Sequence, residues 1–318
     1  MLLPRRRGPV RRRPARPARA LDPRSLRAGP PRPQRARARR SSGLRHPRRW
    51  VRKSDRGHRS DQPHYAAHIR VAVVTGGSSG IGAAVARRLS AGGWRCILLA
   101  RGRERLDRVA AEVGAEAEPC DVGDREQVEA VAGRVARRYD AIHLLVNNAG
   151  MPAGGGYLDV TPQRVEDVMK VNYLGGVWCL RAFLPLLERG APSDLVNVAS
   201  VAGVVTPLTS GPYAASKHAQ LAFSRSVALE LEPRGIRVHS VNPGPVPTES
   251  FPQDKALAGR FSRYLVVSAD DVADRILLAV DRDRRETFIP GVFRIAGAVQ
   301  GIAPGTLSRA ASRFRRRR

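Results

Sequence analysis

Tyr213 and Lys217 stand four residues apart in a stretch whose pattern is helical, so their side chains share one face. A phenol beside an ammonium has a lowered pKa, because the cation favours phenolate. Such a phenol can exchange a proton with a substrate oxygen near neutral pH. The lysine is itself informative. Only four of the 56 basic residues are Lys, at positions 53, 170, 217 and 255. In a chain that otherwise uses Arg, a retained Lys marks a place that a planar guanidinium serves badly. The plain alternative is a surface pair worth about a few tenths of a kcal/mol.

The second candidate is the run Thr75-Gly76-Gly77-Ser78-Ser79-Gly80-Ile81-Gly82, between an apolar run and a helical pattern. Glycines there let backbone approach a pyrophosphate seated on the positive end of the helix. The alternative is a purely structural turn, which the strand before and the helix after disfavour. The next apolar run ends in Leu98-Leu99-Ala100-Arg101. NAD-binding folds usually place a carboxylate there for the ribose 2′-hydroxyl. A guanidinium instead suits a 2′-phosphate, which favours NADP(H) over NAD(H), although NAD(H) stays open. A solvated Arg is the bland alternative.

Other polar residues read as structural. His143, His218 and His239 lie within strand or helix patterns and lack metal-ligand spacing. Ser268 followed by Asp270-Asp271 reads as a helix N-cap rather than as paired catalytic carboxylates. Cys96, Cys120 and Cys179 show no CxxC spacing, so neither a disulfide framework nor a metal site is expected. They read as small buried hydrophobes, and a cytoplasmic location fits.

The elements that must position these groups alternate. Strand patterns fall at 69–74, 96–100, 143–146, 195–198 and 238–241. Helical patterns fall at 83–90, 106–113, 125–139, 162–187 and 213–231. This alternation predicts an α/β fold with a parallel sheet covered on both faces. The strands are continuous Val/Ile/Leu rather than alternating, as doubly covered strands should be.

Charge divides the chain. Formal net charge is +28, of which residues 1–68 carry +19. That segment is rich in Arg and Pro, has no apolar period, and is expected to be disordered. Three origins stay open: an arm for nucleic acid or a membrane surface, a transit-like peptide, or upstream GC-rich DNA read as protein. The catalytic domain is expected at 69–290 and a helical appendage with a basic tail at 291–318. The stretch 292–314 is apolar with basic residues at its end. It reads as a helix packed on the body or on a partner subunit, since Pro304 and Gly305 interrupt its apolar face. Peripheral contact with a membrane surface is the second reading.

Taken with further motifs, residues 69–290 resemble the short-chain dehydrogenase/reductase family. Residues 75–82 match TGxxxGIG, Tyr213 to Lys217 match YxxxK, and Asn147-Asn148-Ala149-Gly150 match NNAG. Cys120-Asp121-Val122 match the element whose Asp touches adenine. Asn172 matches the catalytic-centre Asn, and Ser200 precedes Tyr213 by thirteen residues, the family's usual gap. The segment 242–248, with Pro243, Gly244, Val246 and Thr248, matches the one that holds the nicotinamide carboxamide.

The resemblance implies a doubly wound Rossmann fold with a seven-stranded parallel sheet, and a homodimer or homotetramer. It implies a hydride-transferring oxidoreductase acting on a carbonyl or alcohol. Tyr213 would be the proton donor, Lys217 would lower its pKa and bind the nicotinamide ribose, Ser200 would orient the carbonyl, and Asn172 would hold a water. Two positions depart from frequent family usage. Ser79 stands where NADP-preferring members often carry a basic residue, and Ala199 where Ser is frequent. A cofactor-sensing binding protein on the same fold is the rival class; such proteins usually lack the Tyr-Lys pair. Nucleic-acid binding through the arm is another rival and does not exclude the enzyme. The segments 151–158, 204–212 and 249–267 should set specificity. They offer Met151, Tyr157, Leu208, Phe251, Phe261 and Tyr264, which suits an apolar ketone, aldehyde or acyl ketone.

Overall fold

A computed structural model describes residues 69–206, 211–249, 265–303 and 305. The N-terminal arm, most of the basic tail, and Leu208, Phe251, Phe261 and Tyr264 lie outside the described residues. Strand β1 (Val71–Thr75) is buried along its whole length. Its side chains alternate between two apolar clusters. Ala72 and Val74 join one, and Val71 and Val73 the other. A strand apolar on both sides needs helices on both sides, and the chain supplies them.

Strands β2 (Arg95–Ala100), β3 (Glu116–Pro119), β4 (Leu144–Asn147), β5 (Ser193–Val198), β6 (Ile236–Pro243) and β7 (Glu286–Ile289) complete the sheet. All seven run parallel in the order β3-β2-β1-β4-β5-β6-β7. Helices α1 (Gly80–Ala91), α2 (Arg103–Val113) and α7 (Ala269–Asp281) bury their apolar sides in the first cluster. Helices α3 (Arg125–Ala136), α5 (Gly175–Arg189) and α6 (Gly211–Leu231) bury theirs in the second. Helix α4 (Pro162–Met169) precedes α5, and α8 (Val292–Ile302) follows β7. The strand order reverses beside β1, between β2 and β4. In open parallel sheets a crevice forms there, at the carboxyl ends of the strands.

The doubly wound, seven-stranded architecture is the expected one, and the five strand patterns fall within two residues of observed strands. The two edge strands had no apolar run to betray them. β3 is Glu-Ala-Glu-Pro. Its Glu118 is buried yet ion-paired to Arg134 at 2.8 Å, so a charge serves where the core would use an aliphatic residue. The single helix expected over 162–187 is divided into α4 and α5 by a π-helical turn, Lys170–Leu174. Ser268 caps α7 as expected, accepting from the Asp271 amide at 3.0 Å. The three cysteines are free and buried.

The histidines are structural. His143 Nδ1 accepts from the Val71 amide at 3.2 Å, and His218 sits on α6 with Nδ1 at 2.9 Å from Ala214 O. His239 is fully buried, with Nε2 at 2.8 Å from Asp194 Oδ1 and Nδ1 at 3.0 Å from the Arg284 carbonyl. Arg237 reaches the same carboxylate at 2.9 Å. Asp194 therefore ties β5 to two residues of β6, and removing it strands both. Asp194→Ala should lower the unfolding free energy by about 3 kcal/mol, as for breaking a buried ion pair. Urea denaturation checks this; a loss below about 1 kcal/mol, the range of exposed pairs, would show that the cluster is dispensable.

Candidate active site

A cleft of about 600 Å³ opens at the carboxyl ends of the strands. Gly76, Ser78, Ser79, Gly80 and Ile81 form its floor between β1 and α1. Gly76 has φ 66° and Gly80 φ 53°, which L side chains rarely adopt. A Cβ on Gly82 would stand 2.2 Å from the Gly76 carbonyl oxygen, so this glycine lets the helix close on the turn. Gly82 supports the cradle from behind rather than lining it. The first turn of α1, whose Gly80 and Ile81 line the cleft, carries no acidic residue and no side-chain cap hydrogen bond. That is the chemistry of an anion seat. Thr248 lies over it, since a Cβ on Gly80 would meet its methyl at 2.8 Å.

Arg101, Asp121 and Val122 line one end of the cleft, and Arg101 Nη1 lies 3.8 Å from Asp121 Oδ2. Asn148, Ala149 and Gly150 form the wall beyond β4, and Pro243, Gly244 and Val246 that beyond β6. The Asn148 wall is pinned by a residue that sequence reasoning left out of the site. Thr75 Oγ1 accepts from the amides of Asn148 at 2.9 Å and Ala149 at 3.0 Å. Asn148 Nδ2 donates back to the Thr75 carbonyl at 2.9 Å. The residues present thus fit a dinucleotide. They offer an anion seat at a helix start, close backbone at the glycines, and polar and basic groups at the β2 and β3 ends.

Ser200, Tyr213 and Lys217 meet at the other end of the same cleft. Ser200 follows β5, where Oγ accepts from the Ala202 amide at 3.1 Å and donates to the Pro243 carbonyl at 3.4 Å. Tyr213 and Lys217 ride on α6. A buried chain of bonds sets that helix against the sheet. Asn147 donates to Asn197 at 3.0 Å, and Asn197 donates to Ser224 of α6 at 3.0 Å. Ser240 donates to the same Ser224 at 2.7 Å. Gly211 opens α6 because a Cβ there would come within 2.6 Å of the Tyr157 ring.

Asn172 sits in the π-helical turn, a distortion often found at functional sites. Its carboxamide accepts from the Met151 amide at 2.8 Å and donates to the Met151 carbonyl at 3.1 Å and Ser216 Oγ at 3.0 Å. It stands behind the cleft wall and fixes the Met151 loop to α6.

The electrostatics correct one expectation. Burial pushes the Tyr213 phenol up to about 12, and the hydrogen bond with Ser200 acts the other way. The phenol is not lowered by Lys217. The lysine is itself desolvated, which brings it down to about 7. It donates to the Val198 carbonyl at 3.1 Å and to Gln220 Oε1 at 2.8 Å, and lies 5.8 Å from the phenol ring centroid. Gln220, three residues further along α6, was not singled out from the sequence; the i,i+3 spacing is the signal that would have found it.

A folded pKa near 7 against an ordinary 10.5 has a signed consequence. Between those values the unfolded chain holds the proton and the folded protein does not. Stability should therefore rise by about 1.4 kcal/mol per pH unit through that window, and be lost as pH falls through the folded value. Lys217→Met lacks this titration. The unfolding free energy of the wild type, minus that of the variant, should climb with this slope above neutral pH. Parallel stability curves from denaturant titrations would show that Lys217 is not desolvated.

A doubly wound sheet with a glycine cradle at its switch point and a Ser-Tyr-Lys group across the cleft defines a dinucleotide-dependent oxidoreductase. Residues 70–256 match the short chain dehydrogenase family model. The chain is 37% identical over 226 residues to the 1-deoxy-11-beta-hydroxypentalenate dehydrogenase of Streptomyces exfoliatus, covering 68% of this chain and 81% of that protein. The actinorhodin polyketide ketoreductase with NADPH superposes with TM-score 0.60 at 32% identity, covering 66% of this chain and 89% of that one. A short-chain dehydrogenase/reductase from Burkholderia phymatum with NAD gives TM-score 0.65 at 27% identity, covering 73% and 93%. The chain belongs to the short-chain dehydrogenase/reductase family, whose enzymes transfer hydride with NAD(P)(H).

Proposed function

We propose that this protein interconverts a carbonyl and an alcohol on an apolar small molecule, with NADP(H) as the preferred cofactor. The observation that carries the reading is the convergence of Ser200, Tyr213 and Lys217 at one end of a single cleft whose other end is the glycine cradle. When bound, the nicotinamide supplies or takes up the hydride. In the direction of reduction, Tyr213 Oη gives its proton to the carbonyl oxygen. Ser200 Oγ donates to the same oxygen and stabilises its developing charge. Lys217 holds the nicotinamide ribose and returns a proton to Tyr213; a group titrating near 7 is suited to that exchange. Asn172 positions the Met151 loop and α6 rather than touching substrate.

Cofactor placement follows the cleft. Gly76, Ser78, Ser79, Gly80 and Ile81 would hold the pyrophosphate, and Asp121 and Val122 the adenine end. Asn148, Ala149 and Gly150 would hold the ribose, and Pro243, Gly244, Val246 and Thr248 the nicotinamide carboxamide. Arg101 would take the 2′-phosphate, and Arg105, which lines the same cleft, is a second candidate for it.

The substrate reading rests on what surrounds Tyr213. Pro152, Ala153, Gly154, Gly155, Val201 and Ala202 line the cleft there and bring no charge. A ketone, aldehyde or acyl ketone suits that wall better than a phosphorylated sugar. The actinorhodin polyketide ketoreductase, named for reducing a ketone, supports the carbonyl part of this reading. A panel of such carbonyl compounds with NADPH, followed by loss of nicotinamide absorbance, should show turnover of apolar ketones. Turnover confined to phosphorylated or charged compounds overturns the substrate class.

A further inference from the structure

Helix α8 (Val292–Ile302) lies on the body by one edge only. Phe293 reaches Gly244, where a Cβ would stand 3.2 Å from its ring, and Gly297 sits on Val204, where a Cβ would stand 3.0 Å away. These positions are four apart and define the seated edge. Away from it run Val292, Ile295, Val299 and Ile302, 53%, 68%, 41% and 86% exposed. Their 3-4-3 spacing lines them up as one stripe. Four large apolar side chains in a row facing water call for an occupant.

Charge beside the stripe indicates which occupant. A cavity of about 730 Å³ lies on the flank of α8, lined among others by His218, Arg225, Arg285 and Arg294, with Glu286 as its acidic member. Glu286 pairs with Arg225 and Glu232 with Arg285, which leaves Arg294 of α8 itself without an ion pair among the described residues. Beyond α8 the sequence continues with the same sign. Residues 291–318 hold seven Arg and no Lys, Asp or Glu. A second copy of the chain would bring the same uncompensated charge to the contact.

We propose that α8 is an interfacial helix that seats this enzyme on an anionic phospholipid surface. The stripe enters the boundary between headgroups and acyl chains. Arg294 meets headgroup phosphates from the flank of the helix, and the arginines of the sequence beyond α8 add electrostatic attraction. Because α8 touches Val204 and Gly244, the seated face adjoins the segment expected to select substrate. An apolar substrate dissolved in the bilayer would then have a short path to the cleft. This last point rests on the proposed function; the docking itself does not.

The test uses the full chain with vesicles of phosphatidylcholine, with and without phosphatidylserine. The basic N-terminal arm could attract such vesicles on its own, so the readout must be local to α8. Ile302→Trp should show blue-shifted emission and quenching by brominated phospholipid on phosphatidylserine vesicles, above the wild-type background. Ile295→Glu combined with Ile302→Glu should reduce vesicle partition at least about tenfold, because two insertable side chains are lost. That variant should keep its melting temperature and its turnover of a water-soluble carbonyl. Quenching of Ile302→Trp no greater than the wild-type background overturns the proposal, whatever the whole-protein partition shows. So does a dimer that the Glu variant dissolves, which would give the stripe to a second copy. Loss of all carbonyl turnover in the wild type would defeat the catalytic reading and leave the docking result standing.

Discussion

Replacing Tyr213 by Phe is expected to abolish turnover while cofactor binding persists. The ring stays, so its packing at the start of α6 is retained. What leaves is the hydroxyl, the proposed proton donor and one partner of Ser200. Ser200 keeps its place without it, because Oγ is also bonded to the Ala202 amide and the Pro243 carbonyl. The loss is therefore chemical rather than structural. General acid catalysis contributes roughly 10²–10⁴-fold, so kcat should fall by at least about a hundredfold. Burial sharpens the contrast. A phenol pushed up to about 12 stays protonated across the neutral range, so it is available as an acid in reduction. In the reverse direction it must first lose that proton, and alcohol oxidation should climb with pH more steeply than ketone reduction. Cofactor affinity, followed by nicotinamide fluorescence, should stay within about threefold, since uniform binding is untouched. Turnover within that same margin of the wild type would remove Tyr213 from the mechanism.

The parts of the site that could be read ahead of the structure are those fixed by local chemistry. The glycines of 76–82 announce a turn because the run is dense in residues that admit positive φ, which Gly76 and Gly80 take, and Tyr213 and Lys217 announce a shared face because helical spacing is rigid. What could not be read depends on distance in space. Thr75 opens the glycine motif, but what its hydroxyl does appears only when β4 comes alongside and it meets two amides 73 and 74 residues away. The direction of the Tyr213 shift was missed for the same reason. Spacing placed a cation near the phenol, but only the fold shows that Lys217 turns its donors to Val198 and Gln220. Edge strands show the converse. β3 is recognised by its pairing with β2 at Leu98↔Ala117, because an edge needs less apolar surface than the centre of a sheet. In α8 the apolar stretch was legible and the exposed stripe was not, since which side Phe293 and Gly297 seat is decided by Gly244 and Val204.

Arg101→Asp should move cofactor preference from NADP(H) toward NAD(H). Arg101 closes the end of β2, where Ala100 leaves no carboxylate for a ribose 2′-hydroxyl. Its guanidinium is 63% exposed and only loosely tied to Asp121, at 3.8 Å, so it is available to a phosphate. Charge-assisted hydrogen bonds to a 2′-phosphate should be worth roughly 1–3 kcal/mol at this exposure. The new carboxylate would repel the phosphate and could accept from a free 2′-hydroxyl. Together the changes should shift the NADPH/NADH ratio of kcat/KM by more than about 100-fold, at 1.4 kcal/mol per tenfold. Ser79 argues for a weak wild-type preference, since it offers no second cation at the glycine turn. Arg105 argues the other way. It lines the cleft from the first turn of α2 and is engaged by Glu249 at 2.8 Å, an exposed pair that a phosphate can compete with. Arg105→Ala should therefore reduce the ratio by less than Arg101→Asp, because it removes an attraction without adding a repulsion. The measurement is kcat/KM with both cofactors in the wild type and both variants. A wild type that already prefers NADH would refute the NADP(H) assignment whatever the variants do.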